Sequence, residues 1–197
     1  MQREKRGMSL LVMALLMTAA AGVLFGQQAA TPPKAPPRPI MEITGPDFAD
    51  GAAIPPKYTC LAPNGAAVSP LLRWSDASPE TASFVVIFHD SELHPRKGID
   101  DILHWMMWNI PADVHELSEA VPVAPELPNG ARQGKAGGKN GYMAPCAPVG
   151  KAHHYVFNVY ALDQKVDLPP EATREELRKA MDGHVLGEAV YVGRFHR

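Results

Sequence analysis

Four short apolar runs, separated by turn-forming segments rather than by amphipathic helices, constrain this chain more than any other feature. Ser83 to Phe88 is a nearly continuous Val/Ile/Phe run, bounded by Pro79 and by polar residues from His89 onward. His104 to Ile110 (HWMMWNI) is closed by Pro111, and Tyr155 to Leu162 (YVFNVYAL) by Asp163; Ala189 to Phe195 is the fourth. Runs of this length and composition read as buried strands. One segment reads as a helix. Thr173 is its N-cap, Glu176 completes a capping box, Leu177, Ala180 and Met181 form its apolar stripe, and Gly183 stops it. Strands that outnumber helices and lack regular crossovers predict a mainly β fold, an antiparallel sheet with peripheral helices, over a doubly wound one.

The 197 residues suffice for one domain. Arg3, Lys5 and Arg6 precede an uncharged Leu/Met/Ala-rich run from Met8 to Phe25, so residues 1–28 read as a secretory signal, with an uncleaved membrane anchor as the rival. Residues 29–39 read as a linker, since five prolines in the nine residues Thr31 to Pro39 exclude helix and sheet and favour an extended spacer. Residues 40–197 then form the domain, periplasmic or secreted and not itself membrane-spanning. Within it, Ala112 to Asn140 is rich in Gly and Pro without periodicity, which predicts a long loop acting as a lid or rim. A net charge of −2 argues against a nucleic-acid partner. Cys60 and Cys146 are the two cysteines, and export leaves them as either a disulfide or two buried thiols.

Chemistry-bearing residues gather at three places. His89-Asp90-Ser91-Glu92-Leu93-His94-Pro95 follows the first strand, His104 opens the second, and Gly141 to Pro148, with Tyr142, Pro145 and Cys146, leads into His153-His154-Tyr155 on the third. Side chains alternate along a strand, so His153 shares a face with Tyr155 and His154 does not. Imidazoles and a phenol on one face, backed by a carboxylate, make a hydrogen-bonding site for a small anionic or phosphorylated ligand. Asp90 in direct contact would repel that anion, so it is expected to orient His104 or His153 from behind. Glu92 is placed to meet a cationic head group.

The segments Ile54–Cys60 (IPPKYTC), Val68–Trp74 (VSPLLRW), His104–Asp113 (HWMMWNIPAD), Gly141–Asp163 and Ala180–Phe195, in this order, resemble the bacterial branch of the phosphatidylethanolamine-binding proteins, the Raf-kinase-inhibitor-like proteins. The resemblance implies a large central antiparallel sheet, a smaller second sheet, short peripheral helices, and a pocket for phosphate-bearing head groups or acetate-like anions. It also implies modulation of a kinase or protease partner by binding. On it, Asp90 matches the first acidic position of the family's Asp-Pro-Asp-x-Pro loop, with Glu92 at its second aspartate and Pro95 closing it. His104 matches the histidine before the aromatic, Pro145 the proline of a Gly-Pro turn, and His153 and Tyr155 the His-x-Tyr pair. Ser91 in place of proline, the added Leu93-His94 and Ala144 in place of glycine are departures that reshape this wall.

Other functions find less support in the residues. A thiol nucleophile at Cys146 lacks a sign of activation, and no Gly-x-Ser-x-Gly elbow occurs, so no enzyme and no cofactor are expected. A zinc site would draw on His89, Asp90, Glu92, His94, His104 and His153, which show no His-Glu-x-x-His spacing. A protein-interaction module using the 112–140 loop is the third alternative; the oligomeric state is left open.

Overall fold

The computed structural model describes residues 40–95 and 97–197; the expected signal segment and linker lie outside the described residues. The strands are β1 (Glu42–Thr44), β2 (Leu72–Ser75), β3 (Ser83–Asp90), β4 (Ile102–Pro111), β5 (Glu116–Leu117), β6 (Arg132–Gln133), β7 (Lys135–Ala136), β8 (Lys139–Asn140), β9 (His153–Leu162) and β10 (Val185–Phe195). The α-helix α1 spans Arg174–Met181, and two single-turn 3-10 helices span Pro56–Tyr58 and Pro63–Gly65. A five-stranded antiparallel sheet runs β10-β9-β3-β4-β6, a three-stranded sheet runs β1-β2-β5, and β7 pairs with β8. The fold is mainly β with few short helices.

The unbroken apolar run of β3 has a direct cause. It is the middle strand, and both of its faces are covered. Phe84, Val86 and Phe88 enter the larger core with Trp105, Met107, Phe157 and Tyr191, closed by Ile43, Leu72 and Trp74 of the small sheet. Val85 and Ile87 enter the second core with Met106, Trp108, Leu177 and Met181, closed by α1. The edge strand β10 instead alternates buried positions with exposed or half-buried ones from Glu188 to Phe195.

Helix α1 begins where its capping box predicts. The Thr173 side chain accepts from the Glu176 N–H, and the Glu176 carboxylate accepts from the Thr173 N–H at 2.7 Å. Gly183, at φ +82°, takes the left-handed conformation that ends it. The strands run longer than the apolar runs, however. β3 continues through His89 and Asp90, and β9 begins at His153, because backbone pairing continues past the last apolar residue.

The expectation of a long lid or rim over Ala112 to Asn140 is corrected. That stretch carries β5, β6, β7 and β8. Its anchor is Gln133, fully buried, which accepts from Trp105 Nε1 at 2.7 Å and donates to the Pro122 and Ala124 carbonyls at 2.8 and 2.9 Å. A Cβ on Gly134 would lie 1.9 Å from Met106 Cε, so any larger residue here would have to displace the Met106 side chain.

Candidate functional site

Asp90 ends β3 directly opposite Tyr155 on β9, and His153 lies two residues earlier on the same face. His104 reaches them by an irregularity in β4. Phe88 pairs with Trp105 while His89 pairs with Leu103, so His104 is the extra residue of a β-bulge. The bulge breaks the alternation: Trp105 packs in the larger core, yet the His104 ring also sits on that side, 5.6 Å from the Phe88 ring and 5.1 Å from the Tyr155 ring. Strict alternation would have sent one of these neighbours to the other face. His153 and Tyr155 rings are 6.5 Å apart, completing the group.

The hydrogen bonds assign roles. Asp90 is 1% exposed; it accepts from His153 Nδ1 at 2.8 and 3.0 Å and from the Glu92 N–H at 3.0 Å. Of the two histidines Asp90 was expected to orient, it holds His153. Nδ1 of His104 lies 2.9 Å from the Met143 carbonyl, which can only accept, so this nitrogen carries the hydrogen. Burial pushes the His104 imidazole below its ordinary value, against the opposing pull of the Met143 bond and of Asp90. Burial, with Asp90 second, raises the Tyr155 phenol; the backbone amides of Cys146 and Ala147 pull it the other way.

Among the described residues the only sealed side-chain polar atoms without a partner are the indole nitrogens of Trp74 and Trp108. Among the described residues, Nε2 of His104 and Nε2 of His153 make no hydrogen bond.

The remaining expected site residues stand differently. Tyr142 stacks on Phe88 at 5.5 Å, and its hydroxyl donates to the Tyr58 carbonyl at 2.8 Å, which makes it a wall of the site. The Pro145 carbonyl accepts from the Cys60 N–H at 2.9 Å. Cys60 and Cys146 are disulfide-bonded with their Cα atoms 5.3 Å apart, which removes the free thiol that a Cys146 nucleophile requires. Glu92 is turned to the rim, where it accepts from the His154 backbone N–H at 2.7 Å and pairs with the His154 ring. Burial alone would raise its carboxyl, but the His154 and Ser91 hydrogen bonds outweigh that and hold it below the usual carboxylate range. Pro95 is exposed in the loop after β3. His89 points to the opposite face, against Asp101 and Asn158. Sequence reasoning missed the Met143 carbonyl, because a backbone acceptor leaves no residue-type signal.

Comparison with known proteins decides the family. Residues 44–196 match the sequence profile of the phosphatidylethanolamine-binding protein family. The chain belongs to that family. A UPF0098 protein of Methanothermobacter thermautotrophicus is 41% identical over 151 residues, covering 76% of this chain and 95% of that protein. The crystal structure of a phosphatidylethanolamine-binding protein homologue from Chlamydia trachomatis superposes with a TM-score of 0.70 at 33% identity, over 80% of this chain and 98% of that one. A Mycobacterium tuberculosis protein named as the lipoprotein LppC is 33% identical over 183 residues, 86% of this chain and 85% of its own length. Membership in the phosphatidylethanolamine-binding protein family makes this a ligand-binding protein with that family's β fold.

Proposed function

We propose that this chain is an exported protein that binds a small phosphate-bearing anion between His104, His153 and Tyr155, and acts by binding rather than by catalysis. The observation that carries this reading is the Asp90–His153 pair. The Asp90 carboxylate holds Nδ1 and so fixes the ring, turning Nε2 towards the place the anion takes. Asp90 itself is sealed behind the ring and meets no guest. The Tyr155 hydroxyl, hydrogen-bonded to Asp90 and to the amides of Cys146 and Ala147, forms the floor beside it. Export is supported by residues 1–28, by the lipoprotein name of one relative and by a disulfide suited to an oxidising compartment. The rim would meet any kinase or protease that the protein modulates.

Zinc at the same place has one observation in its favour: Asp90, Glu92 and His153 each offer a donor atom within 4.8 Å of the others. Both carboxylates are already committed, Asp90 to His153 and Glu92 to His154, which favours the anion. Titration calorimetry with inorganic phosphate tests the reading. Binding that is lost in His153→Ala supports it; no heat with the wild type, or equal binding by the variant, overturns it.

A further inference from the structure

The bulge that turns His104 inwards has a counterpart on the opposite face of the sheet. There Nδ1 of His89, on β3, donates to the carboxylate of Asp101, the residue before β4, at 2.5 Å. Arg174, the first residue of α1, donates to the other Asp101 carboxylate oxygen through Nη1 and to the Asp101 carbonyl through Nη2 at 3.0 Å. The His89 and Asp101 side chains are each 14% exposed and that of Arg174 10%, so this clasp is not a solvent-screened surface pair.

Strand alternation ties the clasp to the bulge. Phe88 pairs with Trp105, and His89 with Leu103. Without the extra residue the ladder would continue from Phe88–Trp105 to His89–His104 and Asp90–Leu103. Residues directly opposite one another share a face, and a slip of one residue exchanges the faces. His104 would then lie on the His89 side, and Leu103 on the Asp90 side in its place. Asp101 would change faces as well, away from His89 and Arg174. The clasp therefore closes in the bulged register alone.

The regular ladder competes, because a bulge leaves one residue unpaired. Three contacts oppose it. On the site face Met143 bonds His104 twice, its carbonyl to Nδ1 at 2.9 Å and its N–H to the His104 carbonyl at 2.7 Å. On the opposite face Leu103 packs against the second core, and the clasp holds Asp101. Parting a nearly sealed carboxylate from its partners leaves charge unpaired, which makes the clasp the costliest of the three to give up.

We infer that Asp101, held by His89 and Arg174, is a positioning residue: the clasp selects the bulged register of β3 and β4 and so presents His104, rather than Leu103, on the face of Asp90 and Tyr155. Its effect on binding rests on the anion reading above, and its effect on the register does not.

NMR of the full chain tests this in Asp101→Ala and, separately, in Arg174→Ala. The His104 and Tyr155 rings, 5.1 Å apart, should give a nuclear Overhauser contact in the wild type. Each variant should weaken that contact or split the His104 signals into two sets. Calorimetry with inorganic phosphate should show affinity falling by roughly tenfold, the loss that follows when a group orienting a histidine is removed. A single His104 signal set with the wild-type contact in a folded variant overturns the proposal and leaves Met143 as the hold on the register. Should a melting curve show that Asp101→Ala does not fold, Arg174→Ala decides, since its residue lies outside the sheet. Loss of the ring contact with phosphate affinity unchanged supports the register inference and removes His104 from the anion site, whereas a wild type that binds no phosphate sinks the anion reading and leaves the NMR result to decide the register.

Discussion

Asp90, sealed at the end of β3, holds Nδ1 of His153 at 2.8 Å across the β3–β9 pair, so the carboxylate governs the ring without touching solvent. Replacing it by asparagine keeps the shape and removes the carboxylate that holds the ring. Asp90→Asn should weaken phosphate binding by roughly tenfold or more, the effect expected when a group orienting a histidine is lost. Calorimetry against the wild type measures this. A thermal melt of the same variant shows whether the fold survives, and unchanged affinity would mean that Asp90 does not act through His153.

His104 should leave its mark on stability as well as on binding. Its folded-state value is depressed, so between that value and the unfolded value of about 6.5 the unfolded chain binds the extra proton. Stability from this residue is present above about pH 6.5 and is lost as pH falls towards the folded value. The slope from one proton is at most about 1.4 kcal/mol per pH unit. Urea unfolding between pH 7.5 and 5.5 should show a shallower dependence in His104→Gln than in the wild type. Parallel curves would show that the buried imidazole contributes nothing to the acid sensitivity.

How much of this was legible beforehand can be judged from single residues. The pairing of His153 with Tyr155 followed from strand alternation, because β9 is regular from its first residue. The capping box of α1 was equally plain, since Thr173 and Glu176 interact within one turn. His104 was legible as a candidate and not as a neighbour of Trp105 on the same side, because the bulge that turns it depends on how β3 and β4 register. The 112–140 stretch misled for the same reason. Its order comes from Gln133 reaching Trp105 across 28 residues, a contact with no local period to announce it. Glu92 looked free to meet a ligand because nothing in sequence places His154, 62 residues away, beside it.

The disulfide joins Cys60, just past the first 3-10 helix, to Cys146 in the loop whose amides face Tyr155. Its closure spans 86 residues, which sets an entropic upper bound near ~4–5 kcal/mol on what it contributes. Removing it by Cys60→Ser with Cys146→Ser should cost about 2–4 kcal/mol in urea unfolding. Two ties between these segments persist, from Tyr142 to the Tyr58 carbonyl and from Cys60 N–H to the Pro145 carbonyl. The folded variant should therefore still bind phosphate. Loss of binding with the fold intact would show that the bridge, and not those two bonds, shapes the wall.

Gln133 supplies the most severe test of the packing around the site, because every polar atom of its side chain is used. Its oxygen accepts from the Trp105 indole and its nitrogen donates to two carbonyls, those of Pro122 and Ala124. Gln133→Leu strands the buried Trp105 indole N–H, and a stranded buried group costs about 1–3 kcal/mol, so a loss of that size is expected, with the half-open Pro122 and Ala124 carbonyls losing their donor as well. Gln133→Glu separates the two halves of the interaction. It keeps the acceptor for Trp105 and sets a carboxylate against two carbonyl oxygens, which burial and repulsion together raise above the unfolded carboxyl value of about 4.3. A raised folded value means that the variant is closest to wild type below the unfolded value and falls behind it as pH rises. Melting curves of Gln133→Glu at pH 4.5 and 7.5, each against the wild type, should show the larger deficit at pH 7.5. A deficit independent of pH would mean that water reaches this position and that the segment over β4 is held by something other than Gln133.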